Sequence, residues 1–250
     1  MSAAAIAAVA VTVVLTSFLS GIFGMAGGLI LLGVLLLMLD VTQAMILFGI
    51  TQLGSNGWRA LLWRRHVAWR LVGSYVVGAL AMFALMKLVA FLPDKAMVYI
   101  GLGLIPIVGD LVPPRWRPDI TRRFMPFVCG AFIMALQLMA GAAGSVLDLF
   151  FQKSPLGRKE IVATKAITQV IAHVCRIVYF GSFAVLDADL LPWWTYAGAV
   201  VLALTGTTLA AGVLHRMTDA SFRQWSRWLI LTISVVYLGR GLWLLVAPTA

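Results

Sequence analysis

The sequence predicts an all-helical polytopic membrane protein built from two inverted repeats. Three observations predict this class. Hydrophobic residues make up 62% of the 250 residues and charged residues only 11%, and the mean hydropathy is +1.00, values that exclude a soluble globular protein. The apolar stretches are continuous and do not alternate every second residue, which argues against a transmembrane β-barrel. A glycine-rich pattern also occurs twice, at equivalent places in the two halves.

The first element is an apolar run from Ala3 to Leu39 that contains the glycines Gly24, Gly27 and Gly28. As one helix the run would measure about 55 Å, whereas the hydrocarbon core of a bilayer is about 30 Å thick. We therefore expect two helical arms joined by a turn at the glycines. No Lys or Arg precedes the run, so it lacks the charged start of a signal peptide and is expected to remain in the mature protein.

The repeated glycine pattern belongs to a longer internal similarity between the two halves of the chain. A shift of 117 positions (141 minus 24) superimposes the two halves without a gap. Matching residues include Gly24, Ala26 and Gly27 with Gly141, Ala143 and Gly144, Ile50-Thr51-Gln52 with Ile167-Thr168-Gln169, and Arg59 with Arg176. Matches in one ungapped register indicate two copies of one unit, which we place at 1–118 and 119–250.

Each unit is predicted to hold a broken, hairpin-like helix and three transmembrane helices, about eight helical elements in total. Apolar segments define these elements. In the first unit helices follow the broken element near 42–62, 69–92 and 95–112, before a polar link at 113–119. In the second unit the broken element spans about 124–152, and helices follow near 159–181, 189–213 and 227–247.

The distribution of Lys and Arg predicts how the broken elements are inserted. If both crossed the membrane fully, the basic clusters would divide almost equally between the two sides, against the positive-inside rule. If each enters and leaves on the same side, only Lys87 and Lys95 face the outside. We therefore predict hairpins. Three crossings per unit then invert the second unit relative to the first and place both termini outside, and inverted repeats of this kind are typical of transporters.

Polar stripes on two helices mark the candidate site. One helix carries Lys165, Gln169, His173 and Arg176 at helical spacing, and its counterpart carries Thr51, Gln52, Ser55, Asn56 and Arg59. Ionisable residues within a span are expensive unless they face a cavity or a partner. The turns at Gly24–Gly28 and Gly141–Ser145 are expected to face the same interior, where helix amides can bind an anion. Two structural alternatives stay open: close helix packing at the glycines, and arginines that reach the membrane surface.

An excess of cations and hydrogen-bond donors over carboxylates favours an anionic substrate such as a sulfonate or sulfite. Asp148 and Lys165 are candidates for gating or coupling, with a purely structural ion pair as the alternative. The three histidines lack metal-site spacing and no phosphate-binding loop is present. We therefore predict no cofactor and no metal. We also predict no nucleic-acid partner, because the sequence contains no soluble domain to bind one.

The paired glycine motifs, the Thr-Gln helices that follow them, the length and the repeat resemble the sulfite exporter TauE/SafE family of bacterial membrane proteins. The resemblance implies transport of sulfite or a small organosulfonate such as sulfoacetate across the inner membrane, in the export direction. It also implies substrate-binding roles, which fall on Gly24, Gly27, Gly28, Thr51, Gln52, Asn56, Gly141, Gly144, Thr168, Gln169, His173 and Arg176. Two further substrate-binding candidates come from position alone: Arg59 lies on the polar stripe and Ser145 at the second predicted turn. The chain departs from the glycine pattern at Met25, Ala26 and Ser145.

The sequence thus predicts a secondary transporter, not an enzyme, that works by alternating access in the bacterial inner membrane with both termini periplasmic. Its partners are the lipid bilayer and a small anion, and a homo-oligomer is left open. Three alternatives remain: a transporter of a carboxylate or a metal cation, an intramembrane enzyme, and a structural membrane subunit.

Overall fold

A computed structural model describes residues 3–23, 25–187, 190–214 and 219–247. Within these ranges the chain forms ten α-helices and two short 3-10 turns at Arg64–His66 and Pro114–Trp116. There are ten helices and not eight elements because each broken element contributes two. The helices are α1 (Ala3–Phe23), α2 (Met25–Met38), α3 (Val41–Leu62), α4 (Trp69–Val89), α5 (Lys95–Leu111), α6 (Met125–Ala140), α7 (Gly144–Phe151), α8 (Arg158–Asp187), α9 (Trp193–Leu214) and α10 (Asp219–Val246).

The helices have the composition of membrane spans, as the sequence predicted. Three described segments are long and apolar enough to cross a bilayer by themselves: Trp69–Val89, Lys159–Ala184 and Arg227–Val246. Shorter apolar helices lie at Ala7–Ile22, Ala26–Met38 and Met125–Ala140. These short segments belong to the two broken elements, where the chain turns back.

The first broken element is a helical hairpin made by α1 and α2. Helix α1 ends at Phe23 and α2 begins at Met25; Gly24, at which the sequence predicts the turn, lies outside the described residues. Gly27 of α2 packs against the carbonyl of Thr16 and the backbone of Ser20 on α1, so closely that a Cβ atom at Gly27 would overlap both. Small residues allow such close approach of two helix backbones inside a membrane. Gly27 is therefore a packing residue of this hairpin.

The second broken element turns at Gly141, which ends α6 with a φ of +77°. This left-handed conformation suits glycine and stops the helix, and the Gly141 amide donates to the Gln137 carbonyl at 3.2 Å. Helix α7 then returns toward the segment that precedes α6, because the Ile120 amide donates to the carbonyl of Phe150 at 2.9 Å. This element also folds as a hairpin.

Helix pairing places α3 against α8 at the centre of the bundle. The two helices are antiparallel, because the first half of α3 contacts the middle of α8, whereas the link after α3 contacts the first turns of α8. The Phe48 and His173 rings meet edge to face, with centroids 5.8 Å apart. The Ala68 amide, in the link that follows α3, donates to the Thr164 hydroxyl on α8 at 3.0 Å. Around this pair, α1 packs on α9, α4 on α6, and α5 on α10. The polar stripes of α3 and α8 therefore lie next to each other.

The loops rich in Lys and Arg gather at one end of the bundle, which we call the basic end and define by the links 63–68, 112–124 and 152–157. Lys159 lies over the Trp63 ring at 5.7 Å, the ammonium of Lys153 donates to the Arg115 carbonyl at 2.9 Å, and Arg227 pairs with Asp110 at 2.8 Å. These contacts hold the three links and the start of α10 together.

The opposite end contains the links 39–40, 90–94 and 190–192. Here Asp40 and Asp94 cap α3 and α5, each accepting a hydrogen bond from the amide three residues later. The Tyr179 hydroxyl of α8 donates to the Phe91 carbonyl at 2.5 Å. Lys87 bonds to the Ser182 hydroxyl and lies over the Tyr179 ring. The first residues of α1 and the last of α10 lie at this end.

Candidate functional site

A cavity of about 410 Å³ lies between the two helix breaks and the facing stripes of α3 and α8. This volume is within the range of small-molecule sites. The cavity extends from Phe48 and His173 to Arg59, on the last turn of α3 at the basic end. Beyond it, toward the opposite end, Met45, Arg176 and Tyr179 are fully buried. The cavity therefore extends to the basic end and is closed by packed side chains on the other side.

Most of the candidate residues singled out in the sequence lie on the wall of this cavity. They are Gly28, Gln52, Asn56, Arg59, Gly141, Gly144, Ser145, Asp148, Lys165, Gln169 and His173. Gly27, Thr51, Thr168 and Arg176 do not line it, and Gly24 lies outside the described residues. The structure thus brings both helix breaks and both stripes to one place but divides the stripes between the cavity and the packing behind it.

The two threonines of the Thr-Gln motifs face the packing between helices. Thr51 and Thr168 are buried, and their hydroxyls donate to carbonyls of their own helices, Leu47 at 2.7 Å and Lys165 at 2.9 Å. This back-bonding satisfies the hydroxyl within the helix. Neither side chain is placed to contact a ligand in the cavity.

Arg176 is also fully buried, and its guanidinium is held at the end of α6. It donates to the carbonyl of Gln137 at 3.0 Å, to the Oε1 atom of Gln137 and to the carbonyl of Gly141. Its other terminal nitrogen meets Nδ1 of His173 at 3.2 Å, and the group lies 4.9 Å from the Phe48 ring centre. The partial negative charge at a helix C-terminus and the ring face both favour a cation, so Arg176 is stabilised without a carboxylate partner among the described residues.

Lys165 and Asp148 form an ion pair across the cavity wall, between α8 and α7. Their side chains are 26% and 34% exposed. Asp148 is the carboxylate of the lining, and Arg59 on α3 supplies a second cation. Arg59 makes no ion pair or side-chain hydrogen bond with the described residues, so its charge is available to a ligand that enters from the basic end.

The amides of the wall are close to the helix breaks. A Cβ atom at Gly28 would lie 2.5 Å from Nε2 of Gln52. The Gln52 amide can therefore approach α2 this closely because Gly28 has no side chain. The neighbouring Asn56 donates to the carbonyl of Gln52 at 3.0 Å. On the other side, Gln169 accepts a hydrogen bond from Nε2 of Gln137 at 2.8 Å.

Sequence reasoning missed Gln137, which is buried and links Arg176 to Gln169. A signal for it was present in the repeat register. Gln137 stands four residues before Gly141, as Ser20 stands four residues before Gly24, and both line the cavity. Extending the alignment of the two copies by four residues upstream would have added this pair of polar residues to the candidates.

The wall chemistry suits a ligand that accepts hydrogen bonds. Among the polar side chains of the wall, amide, imidazole and cationic groups predominate, and the Asp148 carboxylate is already paired with Lys165. Among the described residues, no group of three or more His, Cys, Asp or Glu side chains is arranged to hold a metal ion. The arrangement can bind a small oxyanion through several charge-assisted and amide hydrogen bonds.

Comparisons with known proteins identify the chain at the level of a family. No curated protein and no solved structure matches the chain significantly. Residues 9–237 match the family described as sulfite exporter TauE/SafE. This match covers both broken elements, the cavity between them and all but the ends of the chain. The protein therefore belongs to the sulfite exporter TauE/SafE family.

Proposed function

We propose that the protein is a secondary transporter that moves a small sulfur-containing anion, sulfite or an organosulfonate such as sulfoacetate, across the bacterial inner membrane. The observation that carries the proposal is the cavity between the two helix breaks, whose wall presents Arg59, Lys165 and the amides of Gln52 and Gln169. Three oxygens around one sulfur atom provide several acceptors for such donors. The family match agrees with this substrate class.

Alternating access between the units 1–118 and 119–250 is the proposed mechanism. The pairing of helices supports two related units, because the main helix contacts have counterparts with the units exchanged. Packing of α1 on α9 corresponds to α6 on α4, packing of α2 on α10 corresponds to α7 on α5, and α3 with α8 and α5 with α10 pair equivalent helices. In an inverted repeat the two units can exchange conformations, which would close the cavity at one end and open it at the other.

The proposed orientation places the basic end in the cytoplasm and both termini in the periplasm. The clustering of Lys and Arg at one end supports it, because cytoplasmic loops carry the excess of these residues. In this orientation the cavity opens to the cytoplasm, the side from which an exporter takes its substrate. Export itself is proposed from the family description.

Lys165 and Asp148 are proposed to take part in gating or coupling. An incoming anion competes with the Asp148 carboxylate for the Lys165 ammonium, since both ligands are negative and bind the same cation. The ion pair therefore has to open when substrate binds. The released carboxylate is then the group available to accept a proton.

Counterflow in proteoliposomes tests the proposal. Purified protein is reconstituted, unlabelled anion is trapped inside, and uptake of labelled sulfite or sulfoacetate is measured against a panel of sulfite, sulfoacetate, taurine, sulfate and acetate. Exchange with sulfite or a sulfonate, and none with acetate, is the expected result. Exchange with acetate in preference to sulfur anions would assign the cavity to carboxylates. No exchange with any anion, by protein that is folded, would contradict the transporter proposal.

A further inference from the structure

Arg176 does not line the cavity, yet its hydrogen bonds determine what the cavity wall presents. We infer that Arg176 and Gln137 are positioning residues that turn Gln169 and His173 into hydrogen-bond donors, and that this polarity selects an anion. The inference rests on the proposed anion transport, which it deepens by naming how the site recognises its substrate. Three steps carry it.

The first step is the orientation of Gln137. A guanidinium has five N–H donors and no acceptor. Because the guanidinium of Arg176 faces the side-chain amide of Gln137, the atom in contact has to be the oxygen, Oε1. The Nε2 group of Gln137 therefore points to its other neighbour, Gln169.

The second step passes this orientation to Gln169. Nε2 of Gln137 donates to Oε1 of Gln169 at 2.8 Å. The oxygen of Gln169 is then occupied by this hydrogen bond, and only its Nε2 group remains available to a ligand. This Nε2 atom is buried and has no acceptor among the described residues, although Gln169 lines the cavity. Buried donors normally have a partner, and an oxygen of a bound anion would supply the missing acceptor.

The third step concerns His173. Its Nδ1 atom lies 3.2 Å from Arg176, and because arginine only donates, Nδ1 has to accept. A neutral imidazole that accepts at Nδ1 carries its proton at Nε2. His173 also lines the cavity, and the described residues provide no partner for Nε2. One buried guanidinium thus fixes two neighbouring side chains of α8 as donors.

The consequence is a rule of selectivity. The donors that Arg176 holds in place favour binding of a ligand with oxygen acceptors. A cation or an ammonium group would bind poorly, because it needs an acceptor and the Gln169 amide would have to turn to provide one. Turning the Gln169 amide would place its Nε2 against Nε2 of Gln137, and turning the Gln137 amide would place a donor against Arg176. The relay therefore resists reversal at every link.

Substitution of Gln137 tests the relay. Gln137→Glu retains an acceptor for Arg176 but has no N–H group, so the Gln169 amide turns to donate to the new carboxylate and presents its oxygen to the cavity. Gln137→Met removes the relay without changing the charge and with similar side-chain volume. We expect equilibrium binding of labelled sulfite by the purified protein to weaken at least about tenfold in the glutamate variant and by a smaller factor in the methionine variant, with thermal unfolding of the glutamate variant unchanged or at higher temperature.

Two outcomes would overturn the inference. The first is wild-type affinity for sulfite in the methionine variant, which would assign any loss in the glutamate variant to its added charge, and the second is wild-type affinity in the glutamate variant. A readout that needs no substrate keeps the inference separate from the transport proposal. In ¹⁵N NMR of histidine-labelled protein, the neutral His173 ring is expected to carry its proton at Nε2, and Arg176→Gln is expected to remove this preference. A wild-type ring protonated at Nδ1 would overturn the relay whatever the protein transports.

Discussion

Arg176 and Gly141 meet where α6 ends: the guanidinium of α8 donates to the carbonyl of the glycine at which the helix turns. A helix that stops inside a membrane leaves carbonyls that no water can satisfy. Arg176 supplies donors to two of them, Gln137 and Gly141, and so fastens the second helix break to the central helix pair. Its equivalent in the first unit, Arg59, makes no hydrogen bond to such carbonyls among the described residues and lines the cavity instead.

The first prediction separates these two arginines. Arg176→Lys is expected to lower both stability and transport, because a point-like ammonium cannot reach the acceptors on Gln137, Gly141 and His173 together. Each buried acceptor left without a donor costs about 1–3 kcal/mol. Arg59→Gln is expected to reduce anion transport while the unfolding temperature stays near that of the wild type. Thermal unfolding in detergent and counterflow in liposomes give the two readouts.

Equal unfolding temperatures for the Arg176 and Arg59 variants would contradict this division of roles. A stable Arg176→Lys protein that has lost only sulfite affinity would return Arg176 to the ligand set, where the sequence first placed it.

The second prediction uses two adjacent glycines of α2. Gly27→Ala is expected to destabilise the protein, because the new Cβ meets backbone atoms of Thr16 and Ser20 on α1 that cannot move separately. Gly28→Ala meets a side-chain amide, that of Gln52, which can rotate away. Its expected effect is a raised KM for anion exchange with little change in stability. Melting curves and exchange kinetics of the two variants distinguish packing from binding, and the reverse pattern would assign Gly28 to the packing.

The third prediction concerns the ion pair on the wall. Asp148→Asn is expected to strengthen anion binding, because it removes the carboxylate that competes for the Lys165 ammonium. Lys165→Met is expected to weaken binding, and the double variant to lie between the two, since neither charge remains. Titration of purified protein with labelled sulfite measures all three. Weaker binding in Asp148→Asn would show that the carboxylate holds Lys165 in its binding position and does not compete with the anion.

The fourth prediction tests the hairpins. Single cysteines are introduced as Arg65→Cys, Lys153→Cys and Asp94→Cys in a chain whose native cysteines, Cys129 and Cys175, are replaced; both are buried and unpaired. A membrane-impermeant thiol reagent is expected to label the first two from one side and the third from the other. Labelling of the cysteines at 65 and 153 from opposite sides would contradict the hairpin form of the second broken element.

Much of the fold could be predicted from the sequence because a membrane allows few solutions. Backbone groups in lipid have to bond within their own helix, so continuous apolar stretches give helices, and glycines in an overlong stretch give the breaks. The predicted helices near 42–62 and 95–112 accordingly match α3 and α5 closely. Helices α8 and α10 extend beyond their predicted spans: α8 ends at Asp187 instead of 181, and α10 begins at Asp219 instead of 227, because a helix can continue past the apolar segment into polar sequence.

The site was less accessible to sequence reasoning. The stripe on α8 contains Lys165, Gln169, His173 and Arg176 at similar spacing, and nothing in that spacing tells which of them reach a cavity. The answer depends on α6, whose broken end offers carbonyls to Arg176 and whose Gln137 fills the space beside Gln169. Helix α6, which belongs to the same unit and is separated from α8 by α7, thus determines how Gln169 and Arg176 are placed.

The sequence by itself determined the membrane class, the two glycine breaks and the helices that carry polar residues, because these follow from hydrophobicity and backbone bonding along one segment at a time. Only the tertiary structure decided that Arg59 faces the cavity while Arg176 holds the end of α6. The physical reason is that the position of a charged side chain depends on which hydrogen-bond acceptors or polar cavities the neighbouring helices place near it. These surroundings, the carbonyls at the end of α6 for Arg176 and the cavity between the two units for Arg59, are brought into place only when the helices pack.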